Sequence, residues 1–110
     1  MTDVERYGRV ADLLLAIETE LRGAGLWADE PPSAEALASE VPFARDVMSL
    51  ERWLQYILLP RFALLLEHGA PLPAECGIRP LAEQDFAGKG LDGLIHTLGE
   101  LDALLGGEAT

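Results

Sequence analysis

Apolar residues recur at intervals of three and four along most of the chain, the signature of helices that bury one face. From Asp3 to Gly23, the positions Val4, Tyr7, Ala11, Leu14, Ile17 and Leu21 share a face, and Leu13 and Leu15 widen it towards a second neighbour. Thr2 with Glu5 three residues on has capping-box spacing, and Gly23 and Gly25 supply the stop. After Asp29-Glu30-Pro31-Pro32, Ser33 is a good N-cap for a short Ala-rich helix to about Ser39. Ser49 opens the main helix, Leu50 to His68, which Gly69 ends. Seven glycines and prolines punctuate the stretch from Gly69 to Gly90, where one short helix is expected from Pro80 to Phe86. The last helix runs from Leu91 to Leu105, with Leu91, Leu94, Ile95, Leu98, Leu101 and Leu105 on one face. Gly93 and Gly99 weaken it by about 1 kcal/mol each relative to alanine, which suits close approach of a neighbour. The expected fold is an all-α bundle of three main helices and one or two short ones, forming a single domain over 1–110.

Drawn at ~100° per residue, the main helix is apolar nearly all round. Leu50, Leu54, Ile57, Leu58, Leu64 and Leu65 cluster on one side, with Trp53 at the edge, while Leu59, Phe62 and Leu66 fall elsewhere. Only Arg52, Tyr56, Ala63 and Glu67 are left for water, so this helix is expected at the centre. Pro60 removes the hydrogen bond to Tyr56 and should kink it. Arg61 then lies amid the main apolar side, swung by the kink towards a cleft. Asp102 repeats the anomaly, projecting within ~60° of the apolar stripe of the last helix. An unpaired buried charge costs several kcal/mol, so Arg61 is expected to pair with Asp102, or else with Asp46 or Glu51. The competing reading makes Arg61 an anion-binding group at the mouth of a pocket lined by Asp46, Trp53 and Gln55. Acid–base chemistry by Asp46 and Glu51 is the weaker account, because Glu51 suits the positive end of its helix and Asp46 a cap or ion pair.

The charge balance restricts partners. Nineteen acids against eight bases in 110 residues give −11, yet 49% of the residues are hydrophobic, so this is a folded acidic domain. Such a surface has no general attraction for phosphate backbones or anionic lipids. The lone Cys76 permits no intrachain disulfide and reads as a small loop or core residue. The acidic N-terminus is unlike a signal peptide, and no apolar run reaches the ~18 residues of a membrane span, so a cytoplasmic location is expected. His68 and His96 lack ligand-spaced partners, Gly88-Lys89-Gly90 lacks the spacing of a phosphate loop, and Trp27, Trp53 and Tyr56 have no basic groove around them. No cofactor or metal is expected.

The run Pro42-Phe43-Ala44-Arg45-Asp46-Val47-Met48-Ser49-Leu50-Glu51-Arg52-Trp53-Leu54-Gln55 resembles the signature of the YqcC-like family of small bacterial proteins. Leu59-Pro60-Arg61, Pro71-Leu72-Pro73, the segment Ile78 to Glu83 and Leu101-Asp102-Ala103-Leu104 continue the likeness, and Trp27 resembles the tryptophan ending its first helix. Val47 replaces a usual threonine, and Tyr56 a common tryptophan. The resemblance implies a small helical bundle of unknown activity, often encoded beside a tRNA pseudouridine synthase and sometimes carrying that enzyme's name. Such an enzyme needs a large mixed α/β domain, a catalytic aspartate and a basic surface, so the chain is not expected to be that enzyme. The leading expectation is a non-enzymatic interaction domain whose acidic coat complements a basic protein, such as a tRNA-modifying enzyme. The alternative is a small-molecule-binding or catalytic protein with a cleft near Arg61 and Asp46. Direct nucleic-acid binding is disfavoured, and broad apolar faces leave a homodimer open without specifying its seam.

Overall fold

The structure, a computed structural model, describes residues 3–74 and 77–106. Thr2 of the capping box and Cys76 lie outside them. Six α-helices follow in order: α1 Asp3–Gly23, α2 Ala34–Leu37, α3 Leu50–Trp53, α4 Leu59–Glu67, α5 Ile78–Phe86 and α6 Asp92–Leu105. A π-helical turn at Leu54–Leu58 joins α3 to α4, so these pieces form one continuous central helix. A 3-10 turn at Pro42–Ala44 precedes it. The fold is all-α, with three long helices and shorter ones between.

The irregularity that Pro60 demands takes the form of this wide turn. Pro60 offers no N–H to Tyr56, and in a regular helix its ring would press on that carbonyl. Instead the Leu59 N–H reaches back five residues to the Leu54 carbonyl, opening the turn before the proline. A wide turn holds more residues, so the helix beyond it lags behind the ~100° drawing. The buried line becomes Leu50, Leu54, Leu58 and Phe62, each four residues on. Two expectations are thereby corrected: Phe62 is core, whereas Leu64 is 56% exposed. Arg61 is also exposed, and needs no buried partner.

The most enclosed helix is α6, not the central one. It packs along α1 on one side and α5 on the other, burying Leu94, Thr97, Leu98, Gly99, Leu101, Leu104 and Leu105. α1 lies antiparallel to it. Arg6 donates to the Leu105 carbonyl at 2.9 Å, capping the end of α6, and Arg9 pairs with Glu100 at 3.0 Å. Val10, Leu13, Ile17 and Leu21 form the buried line of α1, while Val4 is 82% and Leu15 67% exposed, against expectation. The glycines of α6 admit side chains: the Glu20 carboxylate lies over Gly93 and the Arg79 side chain over Gly99. Among the described residues, no helix is long and apolar enough to cross a membrane.

Candidate functional site

The segment from Pro42 to Tyr56 makes most of the long-range polar contacts of the central helix, and its geometry starts from strained backbone. Phe43 and Ala44 both adopt left-handed conformations, with φ 58° and 49°, costing roughly 1–3 kcal/mol each. Their surroundings hold them there. Ala44 is buried, its carbonyl accepts the Val47 and Met48 amides at 3.1 Å each, and the Phe43 ring stands edge-on to Trp53 with centroids 4.9 Å apart. Arg45 then forms a two-pronged pair with Asp85 of α5. This hydrogen bond raises the guanidinium pKa above its ordinary value, against a smaller opposing effect of desolvation. Asp46 accepts from the Ser39 hydroxyl at 2.7 Å, tying the end of α2 to the start of the motif.

On the central helix the same motif grips the loop that follows α1. Gln55, 6% exposed, lies in the wide turn and bonds both ways with the Ala28 backbone: it accepts from the N–H and donates to the carbonyl, each at 2.8 Å. The Tyr56 hydroxyl donates to the same carbonyl at 3.0 Å, and Arg52 Nη2 donates to the Glu30 carbonyl at 2.8 Å. Arg52 Nε is buried without a hydrogen-bond partner. Beside these contacts lies an open concavity of about 580 Å³ between loop and helix, lined on the loop by Trp27, Asp29 and Glu30 and on the helix by Ser49, Glu51 and Arg52. Three carboxylates around one engaged guanidinium suit a cationic side chain more than an anion. Among the described residues, no group of three His, Cys, Asp or Glu side chains is placed to hold a metal ion.

The sequence-predicted residues therefore separate. Glu51 lines the concavity, Gln55 sits beneath the loop, Trp53 packs on Phe43, and Asp46 faces Ser39. Among the described residues, Arg61 forms no hydrogen bond or ion pair, so its pairing with Asp102, Asp46 or Glu51 is corrected. Asp102 is half-buried, as an intruder on an apolar stripe should be, but its partners are backbone amides: it accepts from Ile78 N–H at 3.1 Å and Arg79 N–H at 2.7 Å. These are donors at the start of α5, where Gly77 has no side chain to cap with. Arg52 and Tyr56, expected to face water, instead bond the loop that follows α1, and nothing in the sequence marks the Arg45–Asp85 pair. Forty residues separate Arg45 from Asp85, so no local spacing announces that pair.

The profile of a family described as "DUF446: tRNA pseudouridine synthase C" matches residues 9–104. The chain belongs to the DUF446 family. Uncharacterized protein YqcC of Escherichia coli K12 is 32% identical over 108 residues, covering 94% of this DUF446 chain and 97% of that one. An uncharacterized protein of Haemophilus influenzae is 43% identical over 68 residues, 62% of this chain and 64% of its own. A protein of Pectobacterium carotovorum named tRNA pseudouridine synthase C is 40% identical over 70 residues, 64% of this chain but only 19% of that protein. The DUF446 chain thus matches less than two thirds of the length of two of these relatives. No solved structure matches it.

Proposed function

We propose that this chain is a non-enzymatic helical interaction domain, an accessory to tRNA modification that docks on a basic protein partner such as a tRNA-modifying enzyme. The Pectobacterium relative carries the argument: a stretch similar to most of this chain occupies 19% of a protein named tRNA pseudouridine synthase C. In that chain the similar stretch is tethered to the remaining four fifths, which raises the effective concentration of one for the other. A net charge of −11, with Asp29, Glu30 and Glu51 around one concavity, favours a basic protein surface and speeds encounter with it. The same charge disfavours direct contact with tRNA.

The test mixes the purified chain with a tRNA pseudouridine synthase from the same bacterium and follows complex formation by sedimentation velocity over a range of salt. A complex at low salt that weakens as salt rises is the expected result. Sedimentation as two separate species at every ionic strength overturns the proposal. Binding to tRNA alone with comparable affinity overturns it in favour of direct RNA recognition.

A further inference from the structure

We infer that the groove between α1 and α4 is the seat of an amphipathic helix from the partner, one carrying basic residues on both flanks of its apolar stripe. This rests on the preceding reading only for the partner's identity. The groove, of about 510 Å³, has leucine walls: Leu14 and Leu15 from α1, Leu59 and Leu66 from α4. Ala11 and Ala63 also line it, and neither has atoms beyond Cβ, so a visiting helix can approach closely. α1 spends its core face on Val10, Leu13, Ile17 and Leu21, yet carries a second stripe of Val4, Gly8, Ala11 and Leu15, spaced four, three and four. Its two large members are 82% and 67% exposed. That spacing is what a neighbouring helix packs against. Both walls are helical, so no free strand edge invites an extended peptide.

Charge selects the occupant. Glu18 and Glu67 line the groove, and Asp12 is exposed beside it on α1. Arg22 pairs with Glu18 at 2.9 Å, whereas among the described residues Asp12 and Glu67 have no ion pair. A second copy would set these carboxylates against their like, each copy bearing −11. An anionic lipid surface meets the same repulsion. A helix with lysines or arginines flanking its apolar residues satisfies both walls and rim.

The experiment uses two probes with the full chain: the tRNA pseudouridine synthase, and a designed helix of about eighteen residues with leucines at i, i+3, i+4 and i+7 and lysines on the flanks. Leu15→Ser and Ala63→Gln leave the charge unchanged, and each should weaken both probes by about tenfold or more. Glu67→Lys should weaken both further as salt is lowered. Leu64→Ser, on the same helix but outside the groove lining, should leave binding as it is. Circular dichroism confirms folding, and Leu15→Ser, at a mostly exposed position, keeps the test valid if Ala63→Gln does not fold. Synthase binding that ignores the groove variants overturns the groove and spares the functional reading. Helix binding that depends on the groove, without synthase binding, supports the groove and overturns that reading. Equal binding of a glutamate-flanked helix, or dimerisation abolished by Leu15→Ser, overturns the choice of a basic helix.

Discussion

The Asp102 carboxylate and the Arg79 backbone amide meet at 2.7 Å, so α6 supplies the cap that α5 lacks. Gly77 occupies the capping position without a side chain, and Asp102 also takes the Ile78 amide. Asp102→Ala should therefore destabilise the fold by about 1–2 kcal/mol, the range of a lost cap with a partly buried donor left over. Asp102→Asn, which keeps an acceptor oxygen, should recover more than half of that loss. Urea unfolding of both variants checks it, and equal losses would show that charge rather than capping matters.

Gln55 holds Ala28 by two hydrogen bonds at the base of the concavity. Gln55→Leu fills similar space but strands the part-buried Ala28 amide, while the Ala28 carbonyl keeps the Tyr56 hydroxyl, so it should cost about 1–3 kcal/mol. Hydrogen exchange adds a local signature: the Ala28 amide should lose protection by a larger factor than the core amides of α6. Uniform loss across the chain would mean that the bond supports global stability alone.

Much of this was written in the sequence, and the losses have physical causes. The bounds of α1 follow from periodicity and glycine stops, and Asp102 stands out because a charge on a leucine stripe needs partners. Its actual partners were invisible, since a backbone amide leaves no mark on composition. The central helix misled because the angular drawing assumed a regular turn. A visible clue lay in Leu50, Leu54, Leu58, Phe62 and Leu66, four consecutive steps of four residues, equal to ~90° per residue and wider than an α-helix. At the candidate site, Glu51 and Gln55 were legible only as polar candidates near a helix start. The Arg45–Asp85 pair and the left-handed Phe43-Ala44 backbone depend on tertiary packing that no local pattern encodes.

Glycines at the two ends of α5–α6 packing should respond in opposite senses. The nearest atoms to an alanine Cβ at Gly93 would be those of the Glu20 carboxylate, 2.8 Å away at the end of a flexible side chain. Gly93→Ala should then stabilise by about 0.5–1 kcal/mol through helix propensity. Gly77→Ala has open space but a left-handed φ of 63°, so it should destabilise by about 1 kcal/mol. Thermal melts that move in the same direction for both would sink this account.

Arg45 and Asp85 join the motif to α5, and the pair should be insensitive to base. Its hydrogen bond raises the Arg45 pKa in the folded state, so the contribution is complete below the unfolded value and is lost only as pH climbs through the folded one. Arginine already titrates above the range in which proteins stay folded. The stability difference between wild type and Arg45→Met should stay constant from pH 7 to about 10, and shrink when salt is added, because the pair is partly exposed. A difference that fades with rising pH would place the pair's strength elsewhere.

The wide turn makes the sharpest prediction, because two neighbouring residues exchange roles with it. In a regular helix drawn from Leu50, Leu64 points inwards and Phe62 away. With the π turn, Phe62 is 3% exposed and Leu64 56%. Phe62→Ala should cost about 3–5 kcal/mol, the range for emptying a buried aromatic site. Leu64→Ala should fall within about 0.5 kcal/mol of wild type, as exposed positions do. Arg61→Ala and Arg61→Met should both be equally neutral, since neither removes a buried charge from a partner. Guanidinium unfolding of the four variants ranks them. A costly Leu64→Ala beside a mild Phe62→Ala would restore the regular helix, and with it an Arg61 turned towards the core.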